Sequence, residues 1–341
     1  MNWKKSAAAV LLISALLSGA IAEEPSVPEV PETTAEAAVA IQGEYDENGV
    51  YHLPDGRTSL YVVKEGEENP FLSEGMMSVS ADRYQDENMC ITISSDRYTT
   101  FTTVKKKEMR SSAIYCVADI YIRDLSSMQR VYASGKFGNT SDKVATMATK
   151  NNAILAVNGD YASEISQGVV IANGVVKRKT RNQKRDMGVI WTDGSFSVIP
   201  YGTKDDYAAM LKNGILGEDN VWQLFLFGPS LLDEEGNALP FEVIDKKTSV
   251  GVANPRTIFG YYEPGHYCIV VCEGRTNSSL GWRLEAAAIF MSELGCKGAY
   301  NLDGGQSSQL WFNGAMVNNP YKNGRKVNDI LIFTAPTVNE E

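Results

Sequence analysis

Histidine is scarce in this chain of 341 residues, and its scarcity removes most of the familiar catalytic arrangements. The two histidines, His52 and His266, are far apart in the sequence, whereas a histidine-based zinc site needs two or three clustered ligands. The sequence also lacks a G-x-S-x-G motif, a P-loop and a Rossmann glycine pattern. Any hydrolytic chemistry would therefore rest on carboxylates, hydroxyls, arginine and asparagine.

Acidic residues outnumber basic residues, and the chain has few cysteines. The formal net charge is -10, which argues against general nucleic-acid binding. Five cysteines are present, and an odd number in an exported protein leaves at least one unpaired. Cys268 and Cys272 share an apolar run, where residues four apart on one strand face the same side but are too distant to bridge. We interpret them as small buried hydrophobic residues.

Long apolar runs are missing except at the N-terminus. Lys4 and Lys5 precede an apolar run over residues 7–21, and Ala20-Ile21-Ala22 is typical of a cleavage site. The run is shorter than the roughly 20 residues of a membrane span, so residues 1–22 are predicted to be a signal peptide. An uncleaved anchor is the alternative, and both export the chain. We expect a secreted or extracytoplasmic protein of the bacterial cell surface or cell-wall space, with no membrane span after cleavage.

The remaining chain divides by composition. Residues 23–42 carry five Glu, three Pro and no basic residue, which is typical of a solvated linker. Short apolar runs between Pro, Gly, Asp and Asn clusters predict a β-rich lead-in over residues 43–110. The signals sharpen into one domain over residues 111–338. Alternating runs predict many strands there, and apolar faces predict helices near 141–152 and 283–294. We therefore predict an α+β fold with a strand-rich mixed sheet and a few packed helices.

Polar clusters follow several of the predicted strands, and loops at strand ends are where sites are usually built. Asn158-Gly159-Asp160-Tyr161 follows one buried strand, and Glu273-Gly274-Arg275 ends another. Asn301-Leu302-Asp303-Gly304-Gly305-Gln306-Ser307-Ser308 ends a third, and its two glycines would let backbone N–H groups face an anion. Arg256 and Arg275 would suit a phosphate, because a guanidinium binds it with a planar fork. Each cluster taken alone is also compatible with an ordinary turn, and each arginine with a surface ion pair.

A basic segment interrupts the acidic chain. Six of the nine residues at 177–185 are Lys or Arg. Such a segment could steer a polyanion such as a cell-wall polymer, and it is equally compatible with a solvated flap.

Together these stretches resemble the phosphodiester glycosidase family. The matching motifs occur in the family's order: Ala156-Val157-Asn158-Gly159-Asp160-Tyr161, Phe227-Gly228-Pro229-Ser230-Leu231, Pro255-Arg256-Thr257-Ile258-Phe259-Gly260, Cys272-Glu273-Gly274-Arg275 and the Asn301–Ser308 segment. They cover roughly residues 112–334. Two positions depart from the family pattern, which often has Asp at Glu273 and Gly at Gln306.

The resemblance implies hydrolysis of a glycosyl-1-phosphodiester in a cell-surface or extracellular glycoconjugate, releasing a sugar and leaving a phosphomonoester. The expected partner is thus a phosphodiester-linked glycan or glycopolymer. The catalytic candidates are Asp303, Asp160 and Glu273. The substrate-binding candidates are Asn158, Gly159, Arg256, Arg275, Asn301, Gly304, Gly305, Ser307 and Ser308.

Metal use and two rival functions stay open at this point. The sequence requires no cofactor, although its oxygen ligands would accept Ca²⁺ or another divalent cation. One rival is a non-catalytic module that binds surface glycopolymers. The other is a metal-dependent phosphodiesterase that cuts the P–O bond, against which the scarcity of His counts.

Overall fold

The computed structural model describes residues 44–45, 51–52, 58–104, 107–164, 168–179, 185–200, 204–240 and 252–335. The predicted signal peptide and linker, and residues 180–184 of the basic segment, lie outside these ranges. Within them, no helix is long and apolar enough to cross a bilayer.

Strands dominate the part of the chain that is described. They are β1 Glu44–Tyr45, β2 Tyr51–His52, β3 Ser78–Val79, β4 Arg83–Gln85, β5 Met89–Val104, β6 Lys107–Ile122, β7 Met128–Tyr132, β8 Leu155–Asn158, β9 Val170–Ala172, β10 Val175–Arg178, β11 Met187–Trp191, β12 Phe196–Ile199, β13 Val221–Phe225, β14 Arg256–Glu263, β15 His266–Cys272, β16 Gly298–Asn301, β17 Leu310–Phe312, β18 Ala315–Met316 and β19 Asp329–Phe333. The α-helices are α1 Val144–Lys150, α2 Lys204–Lys212 and α3 Leu284–Glu293, and short 3₁₀ turns cover Leu125–Ser127, Gly305–Ser307 and Tyr321–Asn323.

A seven-stranded sheet in the order β16-β14-β15-β6-β5-β4-β3 forms the centre of the fold. Strand β15 is buried along almost its whole length, which explains its continuous apolar sequence. Its side chains alternate between two cores, as the two-residue period of a strand requires. Ile269 and Val271 pack into one core with Phe259, whereas Cys268 and Val270 pack into another beneath α3.

Two five-stranded sheets complete the layers around the site. One has the order β18-β17-β8-β19-β7, and α1 packs against it through Val144, Met147 and Ala148. The other has the order β10-β9-β13-β11-β12 and surrounds its own apolar core. Asn173 and Gly174 form the hairpin turn that joins β9 and β10, and both have the positive φ that an Asn-Gly turn favours.

The predicted α+β class is confirmed. The strand pairings in the described ranges are antiparallel, where the sequence had suggested a mixed sheet. The predicted helices appear as α1 and α3.

Strand β6 runs through position 110, where the sequence analysis placed a domain boundary, and β3 to β5 of the lead-in join the central sheet. The polar start of β6 is fully paired with β5 but exposed. It therefore lacks the alternation that would have revealed a strand. The division into regions otherwise stays a prediction.

Candidate functional site

Three strand ends meet at the site. Strand β8 ends at Asn158, β16 ends at Asn301, and β19 begins at Asp329. The loops are joined by backbone hydrogen bonds, because Gly159 N–H donates to the Asp329 carbonyl (3.0 Å) and Asp303 N–H donates to the Gly159 carbonyl (3.3 Å). This places the two most prominent polar motifs of the sequence side by side.

The Asp303 carboxylate is held by three donors. Ser307 Oγ and Arg325 Nη2 each donate to Oδ2 at 2.6 Å, and the Gly304 N–H donates to Oδ1 at 2.9 Å. Arg325 Nε also donates to Ser307 Oγ, which closes a ring of three side chains. The side chain of Arg325 is 42% exposed and that of Asp303 is 13% exposed. The carboxylate is thus fixed in orientation and largely buried, with a cation beside it.

A cleft of about 110 Å³ opens over this ring. Its lining is mostly polar and comprises Ser141, Gly159, Tyr161, Glu164, Asp303, Arg325, Lys326, Val327, Asn328 and Asp329. Tyr161 is 37% exposed and holds a φ of 65°, which is uncommon for a residue with a side chain. Its ring centroid lies 5.4 Å from the Arg325 guanidinium carbon. The loop therefore places an aromatic ring beside the Asp303–Arg325 pair.

A buried charge cluster supports the floor of the cleft. Arg130 pairs with both Asp160 and Asp329, and the three side chains are at most 2% exposed. The Asp160 carboxylate also accepts the N–H groups of Ala162 and Leu226. Asp160, predicted as catalytic, is thus directed into the protein and fixes the position of the loop.

Asp329 lies between this buried cluster and the cleft that it helps to line. Burial raises the pKa of Asp329 to about 6, with Arg130 opposing the rise and the charges of Asp160 and Asp303 adding to it. Its carboxylate also explains Gly159, since a methyl group there would overlap Asp329 Oδ2.

The two predicted asparagines brace the loops from within. Asn158 is fully buried, donates to the Asp303 carbonyl (2.7 Å) and accepts from the Thr257 hydroxyl (2.8 Å). Asn301 donates to the Gly228 carbonyl (2.9 Å), and its Oδ1 has no hydrogen-bond partner among the described residues. Ser308 is likewise buried. These side chains lie behind the cleft surface rather than lining it.

The turn at Gly304 and Gly305 does not present its N–H groups to an anion, as the sequence analysis had expected. The N–H of Gly304 donates to the Asp303 carboxylate and that of Gly305 to the Pro255 carbonyl. Both amides are therefore used within the protein rather than directed at an anion. The missing side chain of Gly305 makes room for the Arg275 guanidinium, whose Nη2 would lie 3.0 Å from an added Cβ. Arg275 is thus brought to the turn, on a side that the cleft lining does not include.

The side chains of the other two candidates, Glu273 and Arg256, do not line the cleft. Glu273 accepts the N–H of Asn319 at 2.7 Å. Arg256 is buried on the opposite face of the sheet, where it donates to the carbonyls of Trp282 (3.1 Å) and Val252 (3.0 Å). Burial lowers the pKa of its guanidinium to about 10.

Sequence reasoning missed Arg130, Arg325 and Asp329. Arg130 carried a usable signal, because β7 alternates and places it on the inward side between Met128 and Tyr132. A charged residue at an inward strand position requires a buried partner. Arg325 and Asp329 carried no such local signal. The described ranges contain no group of three or more His, Cys, Asp or Glu residues suited to a metal ion, and cofactor use stays a prediction.

Comparison with known proteins identifies a bacterial relative that matches most of this chain. The SPbeta prophage-derived uncharacterized protein YomE of Bacillus subtilis (strain 168) is 26% identical over 298 residues, which is 81% of this chain and 44% of that protein. The chain thus spans less than half of that relative.

Two solved structures share the fold. The zebrafish N-acetylglucosamine-1-phosphodiester alpha-N-acetylglucosaminidase catalytic domain, auto-inhibited by its pro-peptide, superposes with a TM-score of 0.55 at 19% identity, over 74% of this chain and 89% of that one. A hypothetical protein from Synechocystis gives a TM-score of 0.51 at 13% identity, over 72% of this chain and 62% of that one.

The family comparison covers the loops that build the cleft. Residues 151–334 match the phosphodiester glycosidase family, a range that contains Gly159, Asp303, Arg325 and Asp329. The family match supports a glycosidase-type activity, whereas the two solved structures, at 19% and 13% identity, show the fold alone. The chain belongs to the phosphodiester glycosidase family.

Proposed function

We propose that this protein hydrolyses a glycosyl-1-phosphodiester, releasing the sugar and leaving a phosphomonoester. The observation that carries the proposal is the Asp303–Arg325 pair in the cleft, within a chain of the phosphodiester glycosidase family. A carboxylate can act at the anomeric carbon, and a guanidinium can bind phosphoryl oxygens. The pair therefore supplies the two chemical functions that this reaction needs.

Asp303 is the carboxylate assigned to the reacting carbon. Three donors fix its orientation, so little reorganisation is needed when the transition state forms. It acts on the anomeric centre directly or through a water molecule. The C–O bond to the phosphate then breaks, oxygen from water ends on the sugar, and the phosphate leaves with its own oxygen atoms.

Arg325 has the second role. Its Nε and one Nη2 hydrogen are engaged by Ser307 and Asp303, and the rest of its guanidinium edge is available to a ligand because the side chain is 42% exposed. A guanidinium carries five donors, so binding a phosphate does not require it to release Asp303. Negative charge developing on the leaving phosphate would thus be stabilised beside the carboxylate that acts on the sugar. Lys326, also in the cleft lining, adds a second positive charge.

Tyr161 is assigned to the sugar. A pyranose ring has an apolar face, which packs favourably on an aromatic ring, and Tyr161 is the aromatic residue among those lining the cleft. The anchored Asp160 next to it holds the loop in its positive-φ conformation. The natural substrate is proposed to be a glycopolymer or glycoconjugate outside the cytoplasm, because residues 1–22 are predicted to be a signal peptide.

Isotope labelling tests the bond that is cut. The full chain is incubated with a sugar-1-phosphodiester in ¹⁸O-water, and the products are separated and weighed by mass spectrometry. Label in the free sugar is the expected result. Label in the phosphate would overturn the proposal in favour of P–O cleavage, and binding without turnover would favour a non-catalytic glycan-binding module.

Matched variants test the two residues. Asp303→Asn is expected to lower kcat by about 10²- to 10⁴-fold, while the exposed Asp193→Asn leaves it unchanged. Arg325→Lys is expected to raise KM and lower kcat, because a single ammonium cannot replace the fork that contacts Ser307 and Asp303. Wild-type kinetics in Asp303→Asn would remove that carboxylate from the mechanism.

A further inference from the structure

Two cysteines far apart in the sequence meet in the core beneath α3. Cys268 lies in the middle of β15, and Cys296 follows the C-terminal end of α3, 28 positions later. Their Sγ atoms are 3.7 Å apart, and both residues are buried. This distance is van der Waals contact between two sulfur atoms, longer than the roughly 2.05 Å of a disulfide.

Gly260 of β14 explains why the two sulfur atoms converge. It pairs directly with Cys268 in the sheet, and a Cβ at this glycine would lie 2.5 Å from Cys268 Sγ and 3.0 Å from Cys296 Sγ. Both sulfur atoms therefore occupy the space above one α-carbon that has no side chain. Met291 of α3 closes the space from above, with its Cε 2.6 Å from the same point.

We propose that Cys268 and Cys296 are a cross-linking site and form a disulfide when the protein folds in the presence of an oxidant. The two Sγ atoms need to approach by about 1.6 Å in total, which small rotations of the two side chains can supply.

The oxidant is a small-molecule disulfide of the glutathione class or a disulfide-exchange protein. The thiolate of one cysteine attacks the oxidant and forms a mixed disulfide, releasing one thiol. The second thiolate attacks the protein sulfur of that intermediate and releases a second thiol. The cysteine pair loses two protons and two electrons, and the oxidant takes them up as two thiols.

The other three cysteines have different neighbours. Cys116 Sγ contacts the Ser95 hydroxyl at 3.2 Å, and Cys272 Sγ faces the Asn254 carbonyl at 3.6 Å. Cys90 is buried, and no sulfur contact joins it to another described cysteine. One specific cross-link is therefore expected, with three thiols left over.

The burial of Cys268 and Cys296 determines when the disulfide can form. The sulfur of Cys296 beside it, together with burial, raises the pKa of the Cys268 thiol, so the reactive thiolate is disfavoured in the folded core. The cross-link should form readily while the chain folds and only slowly once the core has closed. It would enclose α3 and the Arg275 loop in one covalent loop.

Peptide mapping of the full chain tests the pairing. The protein is refolded in a mixture of reduced and oxidised glutathione, free thiols are alkylated, and the unreduced protein is digested with trypsin. The expected product joins peptide 257–275 to peptide 284–297. Because 257–275 contains both Cys268 and Cys272, fragmentation between them must place the link on Cys268, with Cys90, Cys116 and Cys272 alkylated.

Thermal unfolding gives a second, independent measurement. The cross-linked protein is expected to melt higher than its reduced form, by on the order of 5 °C. Cys296→Ser should lose both the linked peptide and this difference, while Cys272→Ser keeps both. Alkylation of all five cysteines after oxidative refolding, or a link between another pair, would overturn the proposal. The mapping needs only the wild-type chain, so a variant that fails to fold leaves the test intact.

Discussion

Replacing Gly159 with alanine should damage the floor of the cleft without removing any charged group. A methyl group at this position would overlap Asp329 Oδ2 and lie 2.9 Å from Oδ1, inside the ordinary contact distance of 3.4 Å. A flexible surface side chain would move away at little cost. Asp329 cannot do so, because its side chain is 2% exposed and Oδ2 accepts from Arg130 Nε at 2.7 Å.

The cost of this substitution can be bounded from the structure. Overpacking a closed core typically costs about 1–3 kcal/mol, and displacing Asp329 would also weaken a buried ion pair. Alanine restricts the unfolded chain, which returns about 0.4–1 kcal/mol. We expect Gly159→Ala to lower the free energy of unfolding by about 2–4 kcal/mol. Turnover should fall too, since the Gly159 carbonyl accepts the N–H of Asp303.

Urea denaturation followed by fluorescence measures this loss. Gly138→Ala is the matched control, because an added Cβ there meets nothing within 4 Å. It should change the free energy of unfolding by less than about 0.5 kcal/mol. If Gly159→Ala were as stable and as active as Gly138→Ala, the close packing of Gly159 on Asp329 would be refuted.

Three further predictions concern the charges around the site. The pKa of Asp329 is raised from 3.8 to about 6, so its stabilising contribution is fully present below pH 3.8 and is lost as the pH rises through about 6, a loss of about 3 kcal/mol. About 2 kcal/mol of this loss falls between pH 4.5 and 7.5, and Asp329→Asn should lack it when urea midpoints are compared at these two pH values; an unchanged pH dependence would contradict the assignment. Arg130→Met should lower the free energy of unfolding by about 3–5 kcal/mol by leaving two buried carboxylates without a cation, while the exposed Arg97→Met should be near neutral in the same assay. Arg256→Lys should cost about 1–3 kcal/mol through its carbonyl contacts yet leave kcat/KM of the folded protein unchanged, and a large loss of kcat/KM would return Arg256 to the site.

The sequence located the loops of the site better than the side chains that act there. Strand ends are marked locally by an apolar run followed by polar residues and glycine, so the loops at Asn158 and Asn301 could be found from the chain alone. The ion-pair partner of Asp329 and Asp160 could not be found in this way. Arg130 is 199 positions from Asp329 and 30 from Asp160, and only the pairing of strands brings them together.

Arg256 shows the limit of reading chemistry without strand direction. Successive side chains on a strand face opposite sides, so Arg256 and Thr257 cannot both face the site. In the structure, Thr257 faces the site and donates to Asn158. Arg256 faces the core on the opposite side of the sheet. The guanidinium had suggested a phosphate contact, but its position in the two-residue alternation determined where it lies.

Arg130 also connects the formation of the cleft to the packing of the two five-stranded sheets. It extends from β7, pairs with Asp329 of β19 and with Asp160 after β8, and donates to the Leu224 carbonyl of β13 at 3.2 Å. Strand β13 belongs to the other five-stranded sheet, so the floor of the cleft is shared between two layers. In a folding intermediate with only one of these two sheets formed, the floor of the cleft would be incomplete. We therefore expect the proposed activity to require the fully assembled domain, because neither sheet alone completes the floor of the cleft.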